Sequence, residues 1–215
     1  MRHARPNPAF IALAAVAVCF AGVWLWKRAV RPNLFPKNFG VVETGRLYRS
    51  GELSPEAMRR VIEDHGIRTV IDLGAHEAGS AQEARERRVC EVLGVERFQM
   101  RLRGDSTGNA NYYVQALRIM ADPSRQPVLV HCNAGAERTG CATILYRHIV
   151  QGRDIEAVYG ESFEYGHSDV RNPELRRMVD TWARRVEDAY RAGGLIDGEE
   201  AVPSPEPVAG TRPGL

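Results

Sequence analysis

The chain has 215 residues, of which 44% are apolar, and its formal net charge at pH 7 is +2. That length suffices for one ordinary domain with appendages, and the nearly balanced charge gives no electrostatic reason to expect nucleic acid as a partner. The four cysteines and six histidines follow neither a disulfide framework nor the spacing of a metal site, so we expect no metal and no other cofactor.

The first segment of the chain is an uncharged, apolar run over residues 9–26. Its length is close to what one membrane-spanning helix needs. We therefore predict a single-pass membrane anchor within residues 1–31, which would make the membrane a partner, followed by a linker over residues 32–40. More positive residues follow the run than precede it, which favours a cytoplasmic position for the rest of the chain. A cleaved signal peptide and a buried soluble helix are the alternatives.

Beyond residue 40, segments typical of strands alternate with segments typical of helices. The predicted elements, in chain order, are strands at 41–42 and 47–48, a helix over 54–66, a strand over 69–73, a helix over 80–93, a strand over 95–102, a helix over 113–120, a strand over 128–130, and helices over 142–150 and 175–189. This alternation predicts an α/β domain over residues 41–195, with a central, mostly parallel sheet flanked by helices on both faces. Residues 196–215 are rich in Pro, Gly and Glu and predict a disordered tail.

The first helix of this domain carries clear signals at both ends. Ser54 is a typical N-cap residue, and Pro55 suits the first helical position because it needs no hydrogen-bond acceptor there. Gly66 follows the last apolar residue of the helical pattern and is predicted to end the helix. These local signals fix the helix boundaries without reference to the rest of the chain.

Residues 131–140, with the sequence HCNAGAERTG, join the strand over 128–130 to an apolar helix. The N–H groups of such a loop can converge on a dianion, and the start of the following helix adds the positive end of its dipole. Arg138 can direct two donors at phosphate oxygens, and the positive field lowers the pKa of Cys132 so that its sulfur becomes a nucleophilic thiolate. The residues predicted to bind the phosphate group are Asn133, Ala134, Gly135, Ala136, Glu137, Arg138 and Thr139.

These ten residues resemble the signature of cysteine-dependent protein tyrosine and dual-specificity phosphatases. The stretch 45–51, followed by 70–73 and 127–130, resembles the compact bacterial dual-specificity-like branch of that family, and the match spans roughly residues 40–165 in the same order. The resemblance implies the cysteine phosphatase fold. It also implies hydrolysis of phosphate monoesters through a cysteinyl-phosphate intermediate, with Cys132 as the nucleophile.

The resemblance further implies a residue that gives a proton to the leaving group, and two residues are candidates. The family usually takes this proton from an aspartate on a mobile loop about thirty residues before the cysteine. Asp105 lies 27 residues before Cys132, in the polar segment 103–109, and we predict it as the catalytic acid. Some relatives instead carry an acidic residue, usually Asp, directly before the loop arginine. Glu137 occupies that position here and is the alternative acid.

Three other polar residues near these segments have more than one interpretation. Arg49 is either a ligand of the substrate or an ordinary surface charge. His131 is expected to be structural, because the family uses the histidine before the cysteine to shape the loop. Asp72 follows a different strand and is also interpreted as structural.

The composition of the loop bears on the substrate class. Relatives that act on phosphoinositides often carry lysines within the loop, whereas Asn133, Ala134 and Ala136 are neutral. This favours phosphotyrosine or phosphoserine/threonine in a phosphorylated protein partner, with phosphoinositides and other small phosphate esters as alternatives. The alternative from a different class of protein is a non-catalytic, membrane-tethered module that binds phosphorylated proteins through the same loop.

Overall fold

The structure, a computed structural model, describes residues 8–26, 28 and 35–207. Within residues 35–207, one sheet contains the strands β1 (Gly40–Glu43), β2 (Leu47–Ser50), β3 (Thr69–Asp72), β4 (Glu96–Gln99) and β5 (Val128–His131). Their order across the sheet is β1-β2-β5-β3-β4. Edge strand β1 runs antiparallel to β2, and every other neighbouring pair is parallel. The predicted α/β architecture with a mostly parallel central sheet is therefore confirmed.

The N-terminal segment forms a helix, α1 (Pro8–Leu25), of 18 residues. At a rise of about 1.5 Å per residue this helix is about 27 Å long, whereas the hydrocarbon core of a bilayer is about 30 Å thick. Among the described residues, no helix combines the length and the apolar character that a membrane span requires. The predicted transmembrane helix over residues 9–26 is therefore wrong, and so are the single-pass membrane localisation and the membrane partner that depend on it.

Parts of the predicted anchor and linker lie outside the described residues. These are positions 1–7, 27 and 29–34, which include most of the basic residues that flank the apolar run. The predicted end of the N-terminal segment at residue 31 and the predicted start of the linker at residue 32 lie outside the described residues.

Helices cover both faces of the sheet, as predicted. They are α2 (Pro55–His65), α3 (Ala81–Leu93), α4 (Asn111–Ala121), α5 (Glu137–Leu145) with a π-helical turn at Tyr146–Val150, α6 (Ile155–Glu161) with a 3-10 turn at Ser162–Tyr165, and α7 (Glu174–Ala192). Leu129 of β5 packs with α2 and α3 on one face. Its neighbours Val128 and Val130 pack with α4 to α7 on the other, because successive side chains of a strand point to opposite faces.

The ends of α2 agree with the local signals in the sequence. Ser54 Oγ accepts the N–H of Ala57 at 3.1 Å, and Pro55 is the first helical residue. Gly66 follows the helix with φ 61°, a left-handed conformation that glycine adopts without steric cost. The predicted boundaries of this helix are confirmed.

The carboxyl ends of three parallel strands lie side by side. His131 at the end of β5 is in register with Ser50 at the end of β2 and with Asp72 at the end of β3. Cys132 follows directly, so the predicted phosphate-binding loop leaves the middle of the sheet between two other strand ends. Ligands of open α/β sheets bind at this edge.

The beginning of the predicted disordered tail contacts α4. The backbone N–H of the buried Ile196 donates to Asn111 Oδ1 at 2.7 Å. Farther along, the carbonyl of Glu200 accepts from Asn111 Nδ2 at 3.1 Å, and the carbonyl of Pro203 accepts from Gln115 Nε2 at 2.7 Å. Ile196, Glu200 and Pro203 therefore have defined partners on this helix, whereas residues 208–215 lie outside the described part of the chain.

Candidate active site

The candidate active site is the loop that connects β5 to α5. Gly135 in this loop has φ 75°, and a Cβ added there would lie 2.5 Å from the backbone nitrogen of Gly51. A Cβ added at Gly51 would in turn lie 2.8 Å from the carbonyl oxygen of Ala134. The loop and the turn after β2 thus meet backbone to backbone, and the two glycines permit this close approach.

The Cys132 thiol lies at the base of this loop and is 1% exposed. Its Sγ accepts the N–H of Gly135 at 3.2 Å. Burial opposes ionisation of the thiol, but hydrogen bonds from Thr139 and from the loop N–H groups, together with the charge of Arg138, outweigh it and lower the pKa of Cys132. Such an environment favours the thiolate, which is the nucleophilic form of cysteine.

Arg138 is buried at the start of α5 and is anchored to the end of β3. Its Nη1 donates to the carbonyl of Leu73 at 3.1 Å and also to the carbonyl of Gly74. Its Nε is buried and has no hydrogen-bond partner within the described residues. The guanidinium is thus fixed by the sheet while one of its donors remains for a ligand.

Arg49 supports the loop from below instead of lying on the surface. Its Nη2 donates to the carbonyl of Gly135 at 2.5 Å, and its Nη1 donates to Thr143 Oγ1 at 3.2 Å. The guanidinium carbon stacks 3.6 Å from the centre of the Tyr165 ring. Burial lowers the pKa of Arg49 to about 10, so the side chain still carries its charge at neutral pH.

A buried ionic cluster beneath the loop is not evident from the sequence. Arg97 on β4 is fully buried and makes ion pairs with three carboxylates: Asp72 at 2.7 Å, Glu83 at 3.1 Å and Glu86 at 2.8 Å. Asp72 Oδ1 accepts the N–H groups of Gly74 and Ala75, at 2.9 and 2.5 Å, and so shapes the turn that contacts Arg138. The cluster therefore connects the strand ends on which the loop rests.

Glu86 extends the cluster to the residue before the nucleophile. Its Oε1 lies 3.3 Å from Nε2 of the fully buried His131, and its Oε2 lies 3.4 Å from Nε2 of His76. Burial opposes the charge of Glu86, but His131, His76 and Arg97 hold the pKa of that carboxyl well below its usual range. Burial also opposes the imidazolium of His131, yet Glu86 raises the pKa of His131 to about 9.

Asp105, the predicted catalytic acid, lies in the loop after β4. Its Oδ1 accepts from Thr107 twice, from the backbone N–H at 3.0 Å and from Oγ1 at 2.6 Å. Partial burial raises the pKa of Asp105, but the hydrogen bonds from Thr107 outweigh it and lower the pKa. The Asp105 side chain is thus an ionised carboxylate that caps its own turn.

Glu137, the alternative acid, is the first residue of α5 and directly precedes Arg138. Its Oε2 lies 2.8 Å from Nδ1 of His167. His167 is buried and comes from the segment after the 3-10 turn that follows α6. No pattern in the sequence indicates a role for this histidine, because it is isolated in an irregular segment far from the loop along the chain.

The outer side of the loop is held by polar contacts at residues 133 and 134. Asn133 Nδ2 donates to Glu52 Oε2 at 3.0 Å, while the carbonyl of Asn133 accepts from Lys37 Nζ at 3.0 Å. Asn38 Nδ2 donates to the carbonyl of Ala134 at 2.9 Å. The structure thus keeps the predicted loop residues in one segment around the thiol, with Asp105 on a separate loop.

Three features of this site occur together in phosphatases that act through a cysteine. They are a buried, ionisable cysteine at the end of a central parallel strand, a turn lined with N–H groups, and an arginine at a helix start. The family model described as "Tyrosine phosphatase family" matches residues 35–189. The chain belongs to this family, which confirms the resemblance found in the sequence.

Two curated relatives are inositol diphosphatases. SIW14 of Saccharomyces cerevisiae is 28% identical over 110 residues, which cover 49% of this chain and 37% of the relative. DSP1 of Oryza sativa subsp. japonica is 28% identical over 148 residues, which cover 66% of this chain and 63% of the relative. The matched residues therefore span about half the length of these relatives.

Solved structures share the fold. The core catalytic domain of the PP-IP phosphatase SIW14 from S. cerevisiae, in complex with citrate, has a TM-score of 0.61 and 22% identity, covering 74% of this chain and 92% of that one. TpbA of P. aeruginosa has a TM-score of 0.59 and 22% identity, covering 72% of this chain and 91% of that one. At these identities the likeness establishes the architecture.

The contact between Gly135 and Gly51 leads to a prediction. Gly135→Ala is expected to lower kcat/KM for p-nitrophenyl phosphate and to destabilise the protein by about 1–3 kcal/mol, because a left-handed alanine is strained and its methyl group would displace the turn after β2. Gly79→Ala is the matched control, since Gly79 has φ 76° but open space around the added Cβ. Equal losses of activity in the two variants would contradict a role of this contact in shaping the loop.

Proposed function

We propose that the chain hydrolyses phosphate monoesters in proteins, on phosphotyrosine or phosphoserine/threonine, through a cysteinyl-phosphate intermediate. The observation that carries this proposal is the Cys132 thiol, whose pKa is lowered by loop N–H groups, Thr139 and Arg138. The thiolate attacks phosphorus in line, the P–O bond breaks, and its electron pair goes to the leaving oxygen, which takes a proton from an acid. Water then attacks phosphorus and gives a proton to the deprotonated acid, and the S–P bond breaks with its pair returning to sulfur.

The other residues of the loop bind and orient the phosphoryl group. The N–H groups of residues 133–137 and the start of α5 face its charge, and Arg138 adds the planar fork that a single ammonium lacks. Thr139 stabilises the sulfur when it leaves in the second step. The proton for the leaving oxygen comes from Asp105 or Glu137.

The charges beside the loop support a protein phosphate as the substrate. A cavity of about 370 Å³ lies next to the loop, and its ionisable lining residues are Glu52, His76, Arg85 and Glu86. Glu52 also contacts the loop directly through Asn133. A ligand with several phosphates would meet the Glu52 carboxylate at this contact, whereas a single phosphate on a peptide needs only the loop itself.

The second candidate substrate is an inositol diphosphate, because SIW14 and DSP1 carry that activity in their names. Comparing kcat/KM of the full chain for a phosphotyrosine peptide, a phosphothreonine peptide and an inositol diphosphate separates the two candidates. Faster turnover of either peptide supports the protein substrate, and faster turnover of the inositol diphosphate supports the second candidate. Binding of the phosphopeptides without turnover of any substrate would instead indicate a non-catalytic binding module.

A further inference from the structure

A second group of ionisable side chains lies against the loop at Glu137. Its centre is His167, whose side chain is fully buried and whose Nδ1 lies 2.8 Å from Glu137 Oε2. On the other side of the ring, Nε2 lies 3.0 Å from Asp169 Oδ1 and 2.9 Å from the hydroxyl of Tyr159. The Tyr159 hydroxyl also donates to Asp169 Oδ1 at 2.5 Å. Both nitrogens of one buried imidazole are therefore engaged by oxygen atoms.

The segment that carries His167 is held against the loop by further contacts. Asn38 Nδ2 donates to the carbonyl of Ala134 in the loop and to the carbonyl of Tyr165, at 2.9 Å each. Arg49 contacts the carbonyl of Gly135 on one side and the ring of Tyr165 on the other. The position of His167 is thus fixed relative to the loop, and with it the position of the Glu137 carboxyl.

The charges around His167 define where its protons lie. Hydrogen bonds from Tyr159 and His167 lower the pKa of Asp169, which therefore stays a carboxylate and accepts from Nε2. Arg176 of α7 lies 5.1 Å from the Tyr159 ring and adds a positive charge behind it. With Nε2–H directed at Asp169, Nδ1 faces Glu137 Oε2 at hydrogen-bond distance.

We propose that Glu137 and His167 act as a pair that supplies the proton of the leaving group, with Glu137 as the donor and His167 as its positioning residue. This inference rests on the proposed phosphatase function. In the first step the proton moves from Glu137 to the leaving oxygen as the P–O bond breaks. In the second step Glu137 takes a proton from the attacking water, which restores the protonated pair. Asp169, whose side chain is 52% exposed, links His167 to solvent.

The state of Asp105 is consistent with this assignment. An acid that donates a proton needs a protonated form near working pH. Asp105 instead has a lowered pKa and an oxygen that accepts twice from Thr107. Glu137 lies in the loop itself, one residue before the arginine that binds the phosphoryl group.

The dependence of the rate on the leaving group tests the pair. Glu137→Gln is expected to lower kcat on phenyl phosphate by roughly 10²-fold or more, and His167→Asn by about tenfold, because the poor leaving group needs the proton. On p-nitrophenyl phosphate, whose leaving group is stable without a proton, both variants should lose only about threefold. Asp105→Asn should affect the two substrates more equally. Glu164→Gln, an exposed acid on the same segment, is the matched control and should leave both rates unchanged.

A pH profile provides a second test at an exposed position, where folding is less at risk. Asp169→Asn removes the negative charge that favours the protonated pair, so the basic limb of the kcat profile should shift to lower pH. The KM for phenyl phosphate should stay unchanged. The pair would be overturned if the basic limb of the kcat profile did not shift, or if His167→Asn lowered kcat equally on both substrates. Either result would leave the phosphatase function intact. A wild-type chain that hydrolyses neither substrate would refute the proposed function itself.

Discussion

Cys132→Ser is expected to abolish turnover while the loop keeps its ability to bind phosphate. The rate should fall by at least about 10³-fold, because a serine hydroxyl is not ionised near neutral pH and cannot replace the thiolate as nucleophile. The donors that bind the phosphoryl group are the loop N–H groups and Arg138. Neither depends on the sulfur, since Arg138 is anchored on the carbonyls of Leu73 and Gly74.

Turnover of p-nitrophenyl phosphate and calorimetric binding of inorganic phosphate measure the two properties separately. Cys90→Ser is the matched control, because Cys90 is also fully buried but packs in the cluster on the opposite face of the sheet. This control should retain turnover in its folded fraction. A Cys132→Ser variant that turns over substrate at a rate comparable to that of Cys90→Ser would refute the thiolate mechanism.

Contiguous features of this protein could be predicted from the sequence. The loop at residues 131–140 carries its nucleophile, its glycine turn and its arginine within ten positions, so its position between strand and helix follows from local order. The ends of α2 followed from Ser54, Pro55 and Gly66 for the same reason. In each case the interactions that determine the structure lie within one or two turns of chain.

The N-terminal prediction failed where hydropathy was the main guide. The apolar run over residues 9–26 has a length at the lower limit for a membrane span, and charge at its flanks gave the remaining support. Helix α1 confirms the helical conformation of the run, but no helix of the described residues is both long and apolar enough to span a membrane. A periodic or apolar pattern thus predicts a helix more reliably than it predicts the surroundings of that helix.

The buried ionic cluster could not be predicted, because its members come from three strands, one helix and the segment after β3. Parallel pairing of β3 with β4 brings Asp72 and Arg97 together although they are far apart in the chain. One signal was present: Glu83, Glu86 and Cys90 recur at helical spacing, so two acids share a face with a core cysteine. His167 gave no such signal, since only tertiary packing places it beside Glu137.

The largest expected effect on stability is that of Arg97→Met. The substitution keeps much of the buried aliphatic volume but leaves the carboxylates of Asp72, Glu83 and Glu86 without their shared cation. Removing one partner from a buried ionic group typically costs about 3–5 kcal/mol, because the remaining charges lose that partner without gaining solvation. The free energy of unfolding in urea at pH 7 should fall by this amount.

Two comparisons distinguish lost charge pairing from lost packing. Arg125→Met removes an arginine whose ion pair with Glu96 is one-third exposed, and it should cost less than about 1 kcal/mol.

The loss of unfolding free energy in Arg97→Met should also shrink as the pH falls from 7 to 5, since unpaired buried carboxylates have raised pKa values and take up protons that neutralise them. A deficit that is the same at both pH values would mean that Arg97 stabilises the fold through the packing of its side chain. A deficit that shrinks would show that its charge holds together the strand ends on which the catalytic loop rests.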